Sequence, residues 1–307
     1  MDRGRARRGP QPPDPPHAGG ARNRMPAPRA RRNRRARTRR TAERRRACAE
    51  RTGIAGAAPE NRHGKDETQL TGVTEMAPQD FWQEIHPQGT FAGDGEFTSF
   101  YVATLEDGRQ LRLPIRELAD GDRALASLIV NQASFAVLDA LAESLAEKIR
   151  PMRIDVVAGL PTLGLTLAAA VAQKLGHGRY VPLGTSRKFW YRDELSVALS
   201  SITTPTQQKR LYIDPRMLPL LQGQRVALID DVISSGASIV AGLHLLTGCG
   251  IEPVVIGAAM LQSERWRESL AAAGPQWSAR TIGVFATPIL ERNARGRWQA
   301  PSARRAI

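Results

Sequence analysis

Cysteine is scarce in this sequence, because its 307 residues include only Cys48 and Cys249. Two thiols cannot build a disulfide framework or a cysteine-rich metal cluster. This usage is typical of a reducing compartment, so we expect a cytoplasmic location. Long apolar runs are missing as well, and no segment approaches the length of a membrane-spanning helix. We therefore expect no membrane partner.

The excess of basic over acidic residues is concentrated at one end of the chain. Residues 1–75 contain 20 Lys and Arg against 8 Asp and Glu, whereas the remaining residues contain 24 against 22. The formal net charge of +14 therefore belongs mainly to the N-terminal quarter. Since the rest of the chain is nearly neutral, its charge gives no reason to expect nucleic-acid binding by a folded domain.

Large apolar side chains are almost absent from residues 1–75, which are rich in Arg, Ala, Pro and Gly. Such a segment buries too little surface to offset the entropy of ordering it. We predict a disordered tail over residues 1–75 and a folded domain over residues 76–307. Three interpretations of the tail remain open: a nucleic-acid or membrane-surface tail, a targeting peptide, or sequence translated from a start assigned too far upstream. The ordinary globular composition after Met76 favours the third.

Strand-like and helix-like segments follow one another after Thr98. Phe100–Leu105 and Leu111–Ile115 flank an Asp-Gly turn and predict a β-hairpin. Apolar residues at helical spacing predict a helix within residues 123–149, although Asn131 and Gln132 interrupt its apolar face. Later strands are predicted at Ile154–Ala158, Tyr180–Leu183, Leu211–Ile213, Val226–Ile229 and Pro253–Leu261, with helices at Leu165–Leu175 and Ala237–Leu246. This alternation predicts an α/β fold whose parallel sheet is flanked by helices, with the ligand site at the carboxyl ends of the strands.

The most informative motif extends from Val226 to Ser238 and reads Val-Ala-Leu-Ile-Asp-Asp-Val-Ile-Ser-Ser-Gly-Ala-Ser. Four apolar residues lead to two carboxylates and then to a turn of small residues that opens a helix. A helix N-terminus favours a phosphate dianion, and only small residues let the backbone approach it closely. Asp230 and Asp231 would accept hydrogen bonds from a ribose diol and would stabilise positive charge on the sugar. The alternative is an Asp pair that caps a helix in an unrelated α/β protein.

The motif closely resembles the thirteen-residue signature of type I phosphoribosyltransferases, with Ser in place of both of its Thr residues. The resemblance implies that family's fold, which includes a small hood, and a pentosyltransferase activity. It makes Asp230 and Asp231 the candidate catalytic residues. It also assigns the 5′-phosphate of phosphoribosyl pyrophosphate to Ser234, Ser235, Gly236, Ala237 and Ser238.

Two further loops gain a role from the same resemblance. The loop after the strand Ile154–Ala158 corresponds to the family's pyrophosphate loop, and its candidate residues are Gly159, Leu160, Pro161 and Thr162. An ordinary βα turn is the alternative. Arg187 and Lys188 stand where a basic pair meets the pyrophosphate, and solvated loop charges are the alternative. Residues 189–210 correspond to the family's mobile lid.

The segments Lys209–Ile213 and Gly223–Arg225, followed by the signature, resemble the adenine and xanthine branch of the family. The resemblance extends over about residues 120–262. It makes Asn131 and Gln262 the candidate base contacts, although Asn131 could instead cap a helix break. Gln262 stands where the xanthine enzymes carry Lys, and this departure argues against xanthine. We also expect Thr281–Ile289 to add a strand to the hood.

The resemblance implies transfer of the phosphoribosyl group of phosphoribosyl pyrophosphate to a nucleobase, preferably a purine, in nucleotide salvage. Mg²⁺ would be bound with phosphoribosyl pyrophosphate, without a metal ligand assigned to the chain, and the family tends to form homodimers. Two alternatives stay open. A regulator that senses phosphoribosyl pyrophosphate would suit the basic tail, but residues 76–122 show no helix-turn-helix pattern. A non-catalytic binding protein would suit the uncharged pyrophosphate loop.

Overall fold

The computed structural model describes residues 76–91, 95–199 and 209–301. The tail predicted over residues 1–75 and most of the later half of the expected lid, residues 200–208, lie outside the described residues. Within the described residues, no helix combines the length and the apolar character needed to cross a bilayer.

A five-stranded parallel sheet forms the centre of the described domain. In spatial order its strands are β11 (Thr281–Thr287), β10 (Val255–Gln262), β9 (Val226–Ile233), β5 (Val156–Gly159) and β6 (Val181–Pro182). The apolar residues at the start of β9 are fully buried, because helices cover both faces of the sheet. The α/β class predicted from the alternation of strands and helices is confirmed.

Five helices surround this sheet in the described residues. They are α1 (Phe135–Ile149), α2 (Gly164–Lys174), α3 (Ala237–Gly248), α4 (Arg265–Ala273) and α5 (Gln276–Ala279). Apolar residues of α1 and α2 pack in the core on one face of the sheet. Those of α3, α4 and α5 pack in a second core on the other face. The two cores therefore hold the sheet between two layers of helices.

A six-stranded antiparallel sheet, which we call the hood, joins both flanks of the domain. Its order is β1 (Glu96–Phe97), β13 (Trp298–Gln299), β12 (Ile289–Arg292), β4 (Arg123–Ala126), β3 (Gln110–Glu117) and β2 (Phe100–Thr104). Glu96 pairs with Gln299, so the hood is complete only when a strand from the N-terminal part of the domain pairs with one from the C-terminal part. The hairpin predicted around Asp107-Gly108 is β2–β3, with Gly108 at φ +84°. A separate two-stranded ribbon pairs β7 (Ser196–Ala198) with β8 (Arg210–Tyr212).

The helix predicted within residues 123–149 is wrong in its first third. Arg123–Ala126 is strand β4, which lies between β3 and β12, and a 3-10 turn occupies Val130–Gln132. The α-helix begins only after Ser134, whose hydroxyl accepts a hydrogen bond from the Val137 N–H at 3.2 Å. Alanine and leucine fit both structures, so the pairing with β3 and β12 decided against the helix.

Two other boundaries also differ from the sequence-based expectation. Thr281–Thr287 does not join the hood but extends the central sheet as β11, parallel to β10. The hood receives β12 and β13 instead. Strand β9 continues through Asp230 and Asp231 to Ile233, whereas the sequence placed both carboxylates after the strand.

Candidate active site

Asp230 and Asp231 lie near the carboxyl end of β9 and are only 6% and 7% exposed. The Asp231 N–H donates a hydrogen bond of 2.9 Å to Oδ1 of Asp230. Strand β9 has a neighbour on each side, and its ladder to β10 pairs Asp230 with Ala258. The central position of β9 in the sheet therefore removes both carboxyl groups almost entirely from solvent.

Burial, together with the negative charge of Asp231, raises the pKa of Asp230 well above its usual value. Burial also raises the pKa of Asp231. Two neighbouring carboxyl groups out of water resist full ionisation, because neither has a cationic partner to balance its charge. Among the described residues, no ion pair reaches either of them. The pair is therefore suited to receive a positively charged or hydroxyl-rich group.

A pocket of about 110 Å³ lies directly beyond these carboxylates. Its lining contains Asp230, Val232, Ile233, Ser234, Ser235, Gly236, Ala237, Ser238 and Ile239. It therefore brings together all five residues predicted to hold a phosphate. The pocket sits at the N-terminus of the twelve-residue helix α3, where backbone N–H groups and the helix dipole favour an anion.

Gly236 gives this turn its shape. It precedes α3 with φ +82°, in the left-handed region that side chains disfavour. A Cβ atom at this position would lie 3.3 Å from the Ser269 Cβ and 3.4 Å from the Trp266 backbone, both on α4. Helix α4 thus supports the turn from behind, and only glycine satisfies both the conformation and the space.

The predicted pyrophosphate loop begins at Gly159, the last residue of β5, and continues to Thr162. Strand β5 pairs directly with β9. The Leu160 N–H donates to the Ile229 carbonyl at 2.9 Å, which joins the loop to the strand that carries the carboxylates. The peptide between Pro161 and Thr162 is cis. Leu160 is buried, and Leu163 is 36% exposed at the start of α2. The loop therefore brings its backbone, rather than charged side chains, to the site.

Gly164 makes the closest approach between this loop and the carboxylates. A Cβ atom at Gly164 would lie 2.5 Å from Oδ1 of Asp230 and 2.8 Å from its Cα. Helix α2 can start against Asp230 only because residue 164 has no side chain. The sequence indicated Gly164 only as the second glycine of a tight turn, and its contact with Asp230 could not be predicted.

Arg187 and Lys188 follow β6 on an exposed arm. Arg187 forms an ion pair with Asp193, with Nε 3.1 Å from Oδ1. The Lys188 ammonium has no ion partner among the described residues. Sequence reasoning missed Asp193, because an acidic residue six positions along a polar loop carries no recognisable pattern.

Side chains just beyond the basic pair fasten this arm to the domain. The Trp190 indole N–H donates to Asp214 at 3.2 Å, and the Arg216 guanidinium lies 4.4 Å from the Trp190 ring centroid. The hydrogen bonds from Arg216 lower the pKa of Asp214 to about 2, so this anchor keeps its negative charge in neutral solution. The arm is thus anchored at Trp190 while Lys188 stays free of ion partners among the described residues.

Gln262 lies where the central sheet meets the hood, and Asn131 lies in the turn that follows strand β4. Gln262 is the last residue of β10, is 7% exposed, and donates from Nε2 to the Ala126 carbonyl at 2.7 Å. Among the described residues, no group donates to its Oε1. Asn131 is exposed in the turn Val130–Gln132 and is not at a helix N-cap, a position that Ser134 takes instead.

Comparison with known proteins identifies relatives for the central part of the chain. Residues 126–274 match the family model of the phosphoribosyl transferase domain. The chain is 34% identical over 154 residues to an adenine phosphoribosyltransferase of Acidovorax sp., covering 48% of this chain and 78% of the relative. It is 31% identical over 172 residues to that of Albidiferax ferrireducens, covering 53% and 83%.

Solved structures that match part of the chain include the adenine phosphoribosyltransferase of Giardia lamblia complexed with 9-deazaadenine. The match has a TM-score of 0.44 and 19% identity, and it covers 61% of this chain and 93% of that chain.

Replacement of Asp230 with Asn is expected to stabilise the protein while removing a candidate catalytic group. Burial raises the native pKa of Asp230 well above its value in the unfolded chain, so ionisation of this carboxyl group costs the native state stability. The stability it contributes is present below about pH 4 and is lost as the pH rises through the native pKa. The free energy of unfolding of Asp230→Asn should therefore exceed that of the wild type by about 1–3 kcal/mol at neutral pH, with the difference shrinking toward pH 4.

Denaturant unfolding of both proteins between about pH 4 and 8 would measure this difference. Asp122→Asn, at an exposed aspartate, is the matched control and should leave stability within about 0.5 kcal/mol. A wild type that is more stable than Asp230→Asn at neutral pH would show that the buried carboxylate stabilises the native state, contrary to the expected cost of its burial.

Gly164→Ala is expected to destabilise the protein by about 1–3 kcal/mol, because the new methyl group would collide with the Asp230 backbone. Gly178→Ala is the matched control, since a Cβ atom at Gly178 has nothing within 4 Å. Thermal unfolding of the two variants would show the contrast. Equal melting temperatures would mean that α2 does not need a glycine against Asp230.

Proposed function

Because the chain belongs to the phosphoribosyltransferase family, we propose that it transfers the phosphoribosyl group of phosphoribosyl pyrophosphate to a purine base. The bond from C1 of the ribose to the pyrophosphate oxygen breaks, a bond from C1 to a base nitrogen forms, and pyrophosphate leaves. The observation that carries this proposal is the anion pocket at Ser234–Ser238, which adjoins the buried pair Asp230–Asp231. One edge of the sheet thus offers a phosphate site beside a site for a sugar cation.

The 5′-phosphate would occupy the 110 Å³ pocket at the N-terminus of α3. Backbone N–H groups of Ser235–Ser238 and the three serine hydroxyls are the donors available there. Binding would place the ribose over Asp230 and Asp231, which precede Ser234 by four and three residues. Carboxylates at that point accept hydrogen bonds from the 2′- and 3′-hydroxyls and stabilise positive charge on C1 as the leaving group departs.

The raised pKa of Asp230 and Asp231 fits a role as a site for positive charge. Without a ligand, burial opposes the ionisation of both carboxyl groups, and the negative charge of Asp231 further opposes that of Asp230. A cationic transition state would supply the missing counter-charge, so its binding would be stronger than that of the neutral ground state. This difference accelerates the reaction without any nucleophile from the protein.

The pyrophosphate would lie between the backbone of Gly159–Thr162 and the basic pair Arg187–Lys188. Arg187 would exchange Asp193 for phosphate oxygens, since the carboxylate occupies the Nε–Nη2 edge of the guanidinium group, which also binds phosphate in bidentate fashion. No group of three or more His, Cys, Asp or Glu residues capable of holding a metal occurs among the described residues. Mg²⁺ bound with phosphoribosyl pyrophosphate would neutralise the charge of the leaving group.

The fixed amide of Gln262 favours a base that carries an amino group. Its Nε2 already donates to the Ala126 carbonyl, so Oε1 remains as an acceptor. An acceptor can bind the exocyclic amine of adenine, whereas it repels the carbonyl oxygens of hypoxanthine and xanthine, which are also acceptors. The relatives in Acidovorax and Albidiferax are named adenine phosphoribosyltransferases, which agrees with this preference. Adenine is therefore the substrate we propose.

Pyrophosphate release by the full chain, with phosphoribosyl pyrophosphate and Mg²⁺, should be measured against adenine, guanine, hypoxanthine, xanthine and orotate. We expect turnover with adenine, at a kcat/KM at least about tenfold above that for hypoxanthine, because one misplaced polar group costs at least that much. Binding of phosphoribosyl pyrophosphate without turnover of any base would contradict the proposed transfer reaction and would favour a sensor or a non-catalytic binding protein.

Gln262→Met is expected to raise the KM for adenine about tenfold and to reduce discrimination against hypoxanthine, because Met keeps the volume but loses the acceptor. The KM for phosphoribosyl pyrophosphate should stay within about twofold. Gln110→Met is the control, since Gln110 is equally buried but spends both amide atoms on the Phe91 backbone. Steady-state kinetics with both bases would test this, and unchanged discrimination in Gln262→Met would exclude the amide from base selection.

A further inference from the structure

Two residues ahead of the hood bracket the segment that connects β4 to α1. The Trp82 indole N–H donates to the Ser127 carbonyl at 3.0 Å, and the Trp82 carbonyl accepts from the Ser134 N–H at 2.9 Å. Gln83 donates from Nε2 to the Gln132 carbonyl at 2.9 Å. Trp82 and Gln83 therefore contact the beginning, the middle and the end of residues 127–134. We call these two residues the N-terminal clamp.

The backbone of Trp82 is held in an unfavourable conformation. Its φ of +61° lies in the left-handed region, which a bulky side chain rarely adopts. The indole is only 3% exposed and packs against Phe81 and the core on the α1 face of the sheet. Such strain persists only where the surroundings hold the residue firmly, and it is concentrated at functional sites. The clamp is thus a fixed element, although it lies in an N-terminal segment of little regular structure.

The clamped segment touches both candidate base contacts. It carries Asn131 in the turn Val130–Gln132, whose last carbonyl Gln83 binds. It also follows directly after Ala126, whose carbonyl holds the Gln262 amide. Trp82 fixes the next carbonyl along the chain, that of Ser127. A shift of residues 126–132 would therefore move Asn131 and release the orientation of Gln262 together.

We infer that Trp82 and Gln83 are positioning residues for the nucleobase, an inference that rests on the function proposed above. They hold residues 126–132 so that Gln262 presents its acceptor and Asn131 stays at the edge of the site. Neither residue touches the phosphate pocket, whose lining is confined to Asp230 and residues 232–239. The clamp precedes residue 126, where the match to the family model begins. Loss of the clamp acts on base recognition and leaves the phosphoribosyl pyrophosphate site in place.

The test uses Trp82→Phe and Gln83→Ala in the full chain, each with a matched control. Trp298→Phe alters another buried tryptophan of the hood region, whose indole makes no hydrogen bond with the described residues. Gln88→Ala alters an exposed glutamine that likewise has no such bond. Steady-state kinetics with adenine and hypoxanthine would be combined with hydrogen–deuterium exchange of the backbone amides of residues 128–134.

The clamp variants should raise the KM for adenine about threefold to tenfold, narrow the preference over hypoxanthine, and keep the KM for phosphoribosyl pyrophosphate within about twofold. Amide exchange in residues 128–134 should accelerate in both, and neither control should change. An equal rise in both KM values, or an unchanged base preference, would overturn the inference. If Trp82→Phe fails to fold, the exposed Gln83 carries the test alone.

The exchange measurement separates this inference from the proposed function. A wild type that turns over none of the bases contradicts the function, but the clamp can still be judged by amide exchange. Unchanged exchange of residues 128–134 in Gln83→Ala and Trp82→Phe would overturn the clamp even if the enzyme is fully active with adenine.

Discussion

The buried carboxyl pair Asp230–Asp231 is the constraint around which this domain is arranged. Two acidic groups out of water are costly to the native state unless a ligand balances their charge. The surrounding elements do not offset that cost, because they leave the pair without an ion partner among the described residues. Gly164 lets α2 begin against Asp230, and Gly236 turns the chain away into α3. Gly164 and Gly236 thus shape the backbone on the two sides of these carboxylates.

The hood adds a second layer of organisation with a different origin. Its strands come from residues on both sides of the region that matches the family model, yet β4 delivers Ala126 to Gln262 at the edge of the central sheet. The hood and the central sheet share one hydrophobic core, and the hydrogen bond between Gln262 and Ala126 links their strands at the edge of the candidate site. In the proposed function, the central sheet would bind the sugar phosphate while the hood, a separate layer, would help to select the base.

The phosphate loop was predictable from sequence because its chemistry is local. Small residues, two carboxylates and a following helix occupy thirteen consecutive positions, and the structure gathers the predicted phosphate residues around one pocket. Residues 123–134 were not predictable from their helical spacing, because Arg123–Ala126 forms strand β4 between its neighbour β3 and β12, a strand distant in the chain. Thr281–Thr287 was placed in the wrong sheet for the same reason. Trp82, Gln83 and Asp193 act through partners that no local pattern reveals, and the roles assigned to the site residues stay predictions.

The pairing of β1 with β13 has a consequence for how the protein reaches its native state. Glu96 and Gln299 are separated by about 200 residues, so closing their loop carries a large entropic cost and gives the domain contacts of high sequence separation. During synthesis, the central sheet up to β10 can assemble while β12 and β13 are still missing. The residues that line the pocket at the N-terminus of α3 are then made before the last hood strands, and in the nascent chain the edges of β1 and β4 that pair with β13 and β12 are still unpaired.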